Sequence, residues 1–186
     1  MKKILFNPFL KIAGTKALIY GWLIILLTVV IAYFSFCHFD GAIDAHGGAK
    51  ASWCVYLIEP FIAWISVTFV LYLAGILFSQ SKIRFSDAAG TLALARFPMF
   101  FVALLYFGPM PNVEELDKIN FVTVLNMIAI LICTIWMIAL YFNAYVISCN
   151  VKKGKAIWTF IVGLIVAEII SKIIFYQLNE HFILYN

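Results

Sequence analysis

The sequence predicts an all-α polytopic membrane protein: five transmembrane helices preceded by a short amphipathic interfacial helix. Three observations predict it. The chain of 186 residues is 65% hydrophobic and only 12% charged, with mean hydropathy +1.03, whereas a soluble domain carries about 25% charged residues. Its apolar runs are continuous, about as long as the twenty-residue helix that crosses a bilayer, and do not alternate as the strands of a barrel do. Lipid offers no partner to backbone N–H and C=O groups, so runs of this length close their hydrogen bonds as helices.

The lead, residues 1–16, interleaves Lys2, Lys3, Lys11 and Lys16 with Ile4, Leu5, Phe6, Phe9, Leu10 and Ile12. That pattern suits a helix lying on an anionic membrane face, with Pro8 in its first turn. The next run, 17–36, is too long for the apolar region of a signal peptide, and no small-residue cleavage site follows closely, so it is a retained first span. Residues 37–54 form a loop. A second span covers 53–78, beginning at Trp53 or at Pro60, which suits a first helical position. A short basic loop with Lys82 and Arg84 precedes the third span, 88–108, for which Ser86 or Asp87 is the candidate cap. Gly108-Pro109-Met110-Pro111 stops that span. An acidic loop with Glu114, Glu115 and Asp117 leads to a long fourth span, 119–147, which tilts or protrudes. Lys152, Lys153 and Lys155 mark the last loop before the fifth span, 156–176. All 186 residues read as one membrane domain.

Lysine and arginine orient the chain. Lys2, Lys3, Lys11, Lys16, Lys82, Arg84, Lys152, Lys153 and Lys155 fall on one side, and only Lys50, Lys118 and Lys172 on or near the other. The N-terminus is therefore expected in the cytoplasm and the C-terminus outside, in a bacterial inner membrane. The nine cytoplasmic basic residues are candidate contacts to anionic lipid. The net charge of +4 needs no nucleic acid to explain it.

Charges inside the spans are the candidate functional residues, because an ionised side chain in hydrocarbon is expensive and is kept only when something answers it. Arg96 stands about 12 Å into the third span and Glu168 about 18 Å into the fifth, at 1.5 Å per residue. Glu59 sits near the outer end of the second. Lys172 follows Glu168 by one turn, the favourable order for a helical pair. The expected arrangement is a neutral network: Arg96 reaches Glu168 or Glu59, and Lys172 pairs with Glu168 or snorkels outward. Pro98, two residues past Arg96, is expected to kink the third span. Asn126, Asn143, Ser66 and Thr68 are candidates for hydrogen bonds between helices.

The first loop holds the only cluster with a chemical look. Cys37, His38, His46 and Cys54 are weak candidates for a metal site, with Asp40 and Asp44 between them, but their spacing matches no zinc pattern. The plainer expectation is a flexible, glycine-rich loop with two polar histidines at the membrane surface. A Cys37–Cys54 disulfide is a third alternative in an oxidising space. No phosphate-binding loop, nucleophile elbow, HExxH or dinucleotide fingerprint occurs. No enzyme activity and no cofactor are expected.

The order of features resembles the bacterial branch of the YIP family (Yip-one domain). The resemblance rests on Asn7-Pro8 in an amphipathic lead, five spans, an internal proline in the third span (Leu94-Ala95-Arg96-Phe97-Pro98-Met99-Phe100) and a basic loop before the last. It runs from about Asn7 to Tyr176. It implies a membrane fold, and no functional residue transfers. Eukaryotic members bind small GTPases in membrane traffic through a region with an Asp-Leu-Tyr-Gly-Pro motif. That motif is missing here, so GTPase binding does not carry over. The expected role is non-enzymatic: organising a membrane or binding a membrane-protein partner or a second copy. The alternative is conduction of lipid or ions, scramblase- or transporter-like, along Arg96, Glu59 and Glu168.

Overall fold

The structure is a computed structural model that describes residues 7–79, 81–111 and 120–182. Five apolar segments are long enough to cross a membrane. They comprise helices α1 (Gly14–Ser35), α2 (Trp53–Phe78), α3 (Phe85–Ala95) with α4 (Pro98–Leu105), α5 (Phe121–Ser148) and α6 (Lys153–Phe182). Among the described residues a 3-10 turn, Pro8–Leu10, precedes them. Its Phe9 is buried in the main core cluster rather than laid into lipid. Residues 1–6, with Lys2 and Lys3, and the acidic loop 112–119 lie outside the described residues.

The third span forms the centre. Of its 18-residue window 72% is buried, against 11% for α5, whose Val122, Leu125, Leu131, Ile132 and Ile135 are exposed as lipid-facing residues should be. Small residues explain that position. Gly90 of α3 lies against the backbone of Gly14 and Leu18, and Gly21 of α1 lies against Ala93 and Leu94. A Cβ on Gly21 would come within 2.6 Å of the Ala93 carbonyl carbon, so each helix carries a glycine where the other's backbone passes. Close backbone approach of this kind replaces the hydrophobic driving force that lipid removes. Trp64 Nε1 of α2 donates to the Ala89 carbonyl at 3.0 Å, tying a second helix to the same segment.

The span breaks at Arg96-Phe97. Pro98 has no N–H to donate. The N–H groups of Arg96 and Phe97 turn to carbonyls three residues back, Ala93 and Leu94, each at 3.2 Å. The expected kink is therefore a full interruption, with Arg96 ending α3 and Pro98 opening α4.

Several local expectations are corrected. Of the two expected starts of the second span Trp53 is the one found, and Pro60 lies inside the helix. Neither Ser86 nor Asp87 caps α3, which begins at Phe85. Asn120 caps α5 by accepting from Thr123 N at 2.9 Å. Asn126 bonds the carbonyls of Leu105 and Pro109, as an interhelical group should, but the side-chain oxygens of Ser66 and Thr68 are buried without a partner.

The bundle has two distinct ends. At one, Asn150 Nδ2 donates to Ser81 Oγ at 3.0 Å and Cys149 packs on Gly75. The exposed Lys11, Lys16, Lys82, Arg84, Lys152 and Lys155 lie there, and Lys153 opens α6 at the same end. At the other end the segment 36–52 joins α1 to α2.

Candidate functional site

Segment 36–52 turns back into the bundle instead of spreading into solvent. Phe36 adopts a left-handed conformation, φ 54°, that ends α1. Strand β1 (Cys37–His38) then pairs antiparallel with β2 (His46–Gly47). Between them the chain descends among the helices: Cys37, His38, Phe39 and Ala42 are all buried. The expected flexible loop with two surface histidines is corrected for His38, which is fully buried, while His46 stays exposed.

Buried peptide groups need partners, and the charged side chains of the spans provide them. Glu59 Oε1 bonds His38 Nδ1 at 2.8 Å, and Oε2 accepts from Phe39 N at 2.9 Å. Arg96 Nη1 donates to the Ala42 carbonyl at 3.2 Å and to Tyr141 Oη at 2.9 Å. Ser171 Oγ accepts from Ala42 N at 3.1 Å, and Glu168 Oε2 accepts from Ile43 N at 3.0 Å. Lys172 Nζ bridges Asp40 Oδ1 at 2.8 Å and Asp44 Oδ2 at 2.6 Å. Tyr106 Oη donates to the Ala45 carbonyl at 3.0 Å. Gly41 passes against the Glu168 carboxylate, where a Cβ would collide with Oε1.

The four charged residues therefore converge on one loop rather than on one another. Arg96 bonds a carbonyl and a phenol in place of the expected Glu168 or Glu59. Lys172 takes the loop's aspartates in place of Glu168.

His38 faces the Glu59 carboxyl group at Nδ1 and, at Nε2, the Ala49 carbonyl 2.9 Å away and the Tyr56 hydroxyl at 3.3 Å. As an imidazolium the ring donates from both nitrogens. Burial opposes that charge, but the Glu59 hydrogen bond and charge outweigh it, and the net direction is upward from the ordinary histidine value. The ring also stacks on Tyr56, centroids 4.7 Å apart. His46 is raised by its hydrogen bond to Asp40, only partly offset by burial. Burial works against the Asp40 carboxylate, but His46 and Lys172 prevail and bring it down to about 2. Burial, then the charges of Glu59 and Asp44, push the Cys37 thiol far up, so it stays protonated.

The metal candidates do not assemble as expected. Cys37 and Cys54 are both free thiols, one buried and one exposed on α2, and His38 has both ring nitrogens engaged. A different trio, Asp40, Asp44 and His46, brings its ligand atoms within 4.8 Å of one another. Lys172 already bonds both carboxylates there, so a side-chain cation takes the place an ion would need.

Sequence reasoning missed Tyr141, Ser171, Asp40 and Asp44 as partners of the buried charges. One signal was available: Glu168, Ser171 and Lys172 form a polar stripe at helical spacing in an otherwise apolar span.

A broken central span, four further membrane-crossing helices and buried charges that grip a re-entering loop define a polytopic helical membrane protein. Within that class, a family model described as the Yip1 domain matches residues 2–172, and the chain belongs to that family. No curated protein and no solved structure matches it.

Proposed function

We propose that this Yip1-domain protein is a non-enzymatic, membrane-organising scaffold of a bacterial inner membrane, of the family's bacterial branch. In this reading the N-terminus and the lysine-bearing end are cytoplasmic and contact anionic lipid or a membrane-protein partner, and the C-terminus is outside. The observation that carries it is the state of Arg96. Its side chain is 3% exposed, it bonds the loop and Tyr141, and the cavity beside it measures about 10 Å³. Such a space holds about one water molecule. A conducting path needs charged groups that line a wet groove, whereas Arg96, Glu59 and Glu168 hold backbone groups of the loop.

The test is a paired lipid-scrambling and ion-flux assay in proteoliposomes, wild type against Arg96→Gln. No flux above empty vesicles is expected from folded wild type. Flux that disappears in Arg96→Gln would overturn the reading and make the buried charges a path. A second measurement addresses the lysine-bearing end: Lys82→Gln/Arg84→Gln/Lys152→Gln should retain fewer anionic lipids on purification, at about 1 kcal/mol per lost basic residue.

A further inference from the structure

At the end opposite the lysine cluster, the clamped loop and α6 flank an open cavity of about 590 Å³ lined by His38, Asp40, His46, Lys172, Phe175 and Tyr176. Its size falls within the range of small-molecule sites, about 300–1,000 Å³, and far exceeds a single ion. We propose that this cavity binds the headgroup of a zwitterionic phospholipid carrying a primary amine, ammonium against Asp40 and phosphate against Lys172 and His46.

Charge and donor geometry select that chemistry. Lys172 spends two ammonium N–H groups on Asp40 and Asp44 and has a third to give. His46 turns Nδ1 to Asp40 Oδ1 at 3.4 Å, and Nε2 remains as its second ring nitrogen. Asp40 meets both Lys172 and His46 through Oδ1 and carries Oδ2 as a second acceptor. Donors and acceptors thus alternate over a few ångströms, which matches an ammonium two carbons from a phosphate diester. The balance of charge points the same way. Two carboxylates face one ammonium and one imidazole, so an anionic headgroup adds repulsion and a simple cation must evict Lys172. A zwitterion adds no net charge and pairs both signs.

Placement selects a lipid over a soluble amine. The cavity lies between the loop that joins the end of α1 at Ser35 to the start of α2 at Trp53 and the Lys172–Tyr176 stretch of α6. The cavity is therefore at the depth of the membrane interface. Tyr176 and Ile173 beside it are exposed on the lipid-facing side of α6. Acyl chains can leave the cavity along that side, and the Phe175 and Tyr176 rings supply a wall suited to an alkylammonium group.

The experiment is competitive lipid retention by native mass spectrometry of the full chain, offered phosphatidylethanolamine and phosphatidylglycerol at equal amounts. Wild type should prefer the ethanolamine lipid by about tenfold, the value of one good charge-assisted contact. The preference should vanish in Asp40→Asn and in His46→Gln, whose ring is exposed, and persist in Lys155→Gln at the other end. No preference, a preference for the glycerol lipid, or a preference that survives both variants overturns the proposal. Free phosphoethanolamine displacing the lipid at equal concentration overturns the lipid as the ligand's source.

Discussion

Glu59 is the strongest point at which to test how the loop is held. Replacing it with alanine removes the acceptor of Phe39 N and the partner of His38 Nδ1, both in fully buried surroundings. An orphaned buried amide costs about 1–3 kcal/mol and a lost hydrogen bond to a charged group about 1.5–3. The sum agrees with the 3–5 kcal/mol typical of breaking a buried ion pair. Glutamine behaves differently. Its carbonyl still accepts from Phe39 N, and its amide can donate to Nδ1 once His38 becomes neutral with the proton on Nε2, where Ala49 accepts it. Glu59→Gln should therefore cost about 1 kcal/mol, one net hydrogen-bond equivalent.

The reporter is Cys37, fully buried beside the clamp, read against the exposed Cys54 in the same molecule. Alkylation of Cys37 requires local opening of the loop, and its rate follows the opening free energy. Peptide-level mass spectrometry should show Cys37 labelling about 10²–10³ times faster in Glu59→Ala and less than tenfold faster in Glu59→Gln, at 1.4 kcal/mol per decade. The pH dependence has a definite sign. The folded pKa of His38 is raised above its ordinary 6.5, so its contribution is complete below that value and is lost as pH rises through the raised one. Corrected Cys37 protection should fall on the alkaline side in wild type. The fall should be smaller in Glu59→Gln, where only the His46–Asp40 contact still titrates. Equal labelling of wild type, glutamine and alanine variants would refute the clamp.

Further perturbations test this arrangement and the packing around it. Arg96→Leu leaves the Ala42 carbonyl and Tyr141 without their donor, at about 1–3 kcal/mol per buried group. Exchanging Arg96 and Glu168 should not restore the loss, because each faces a loop group of the opposite hydrogen-bonding sense; an exchange that melts like wild type in detergent would sink this account. Gly41→Ala forces a Cβ against Glu168 and within 2.7 Å of Asp44 Cβ, so it should accelerate Cys37 labelling without disturbing the helices by circular dichroism. Gly90→Ala should lower the thermal transition by about 1–3 kcal/mol of overpacking, since its Cβ meets the backbone of Gly14 and Leu18. Gly154→Ala, with nothing within 4 Å, should be neutral or stabilising by about 0.4–1 kcal/mol.

Length and apolarity of runs were enough to specify the helices, because in lipid an unpaired backbone leaves no alternative to them. The second span was legible apart from its start, which Trp53 and Pro60 both suited, and the third showed its weak point through Pro98. Arg96, Glu59, Glu168 and Lys172 were equally legible as residues in need of partners, since an intramembrane charge announces its own cost. Which partners they find was not. Local sequence makes 36–52 look like a solvated glycine-rich loop; only the packed helices reveal a pocket of stranded donors and acceptors that the loop backbone fills. Ala42 illustrates the limit. Its side chain has no chemistry, yet its N–H and C=O are gripped by Ser171 and Arg96, residues far apart in the chain. Composition and periodicity thus determined that the chain lives in a membrane and how often it crosses. The tertiary structure decided what its buried charges are for, because that depends on backbone groups no side-chain pattern encodes.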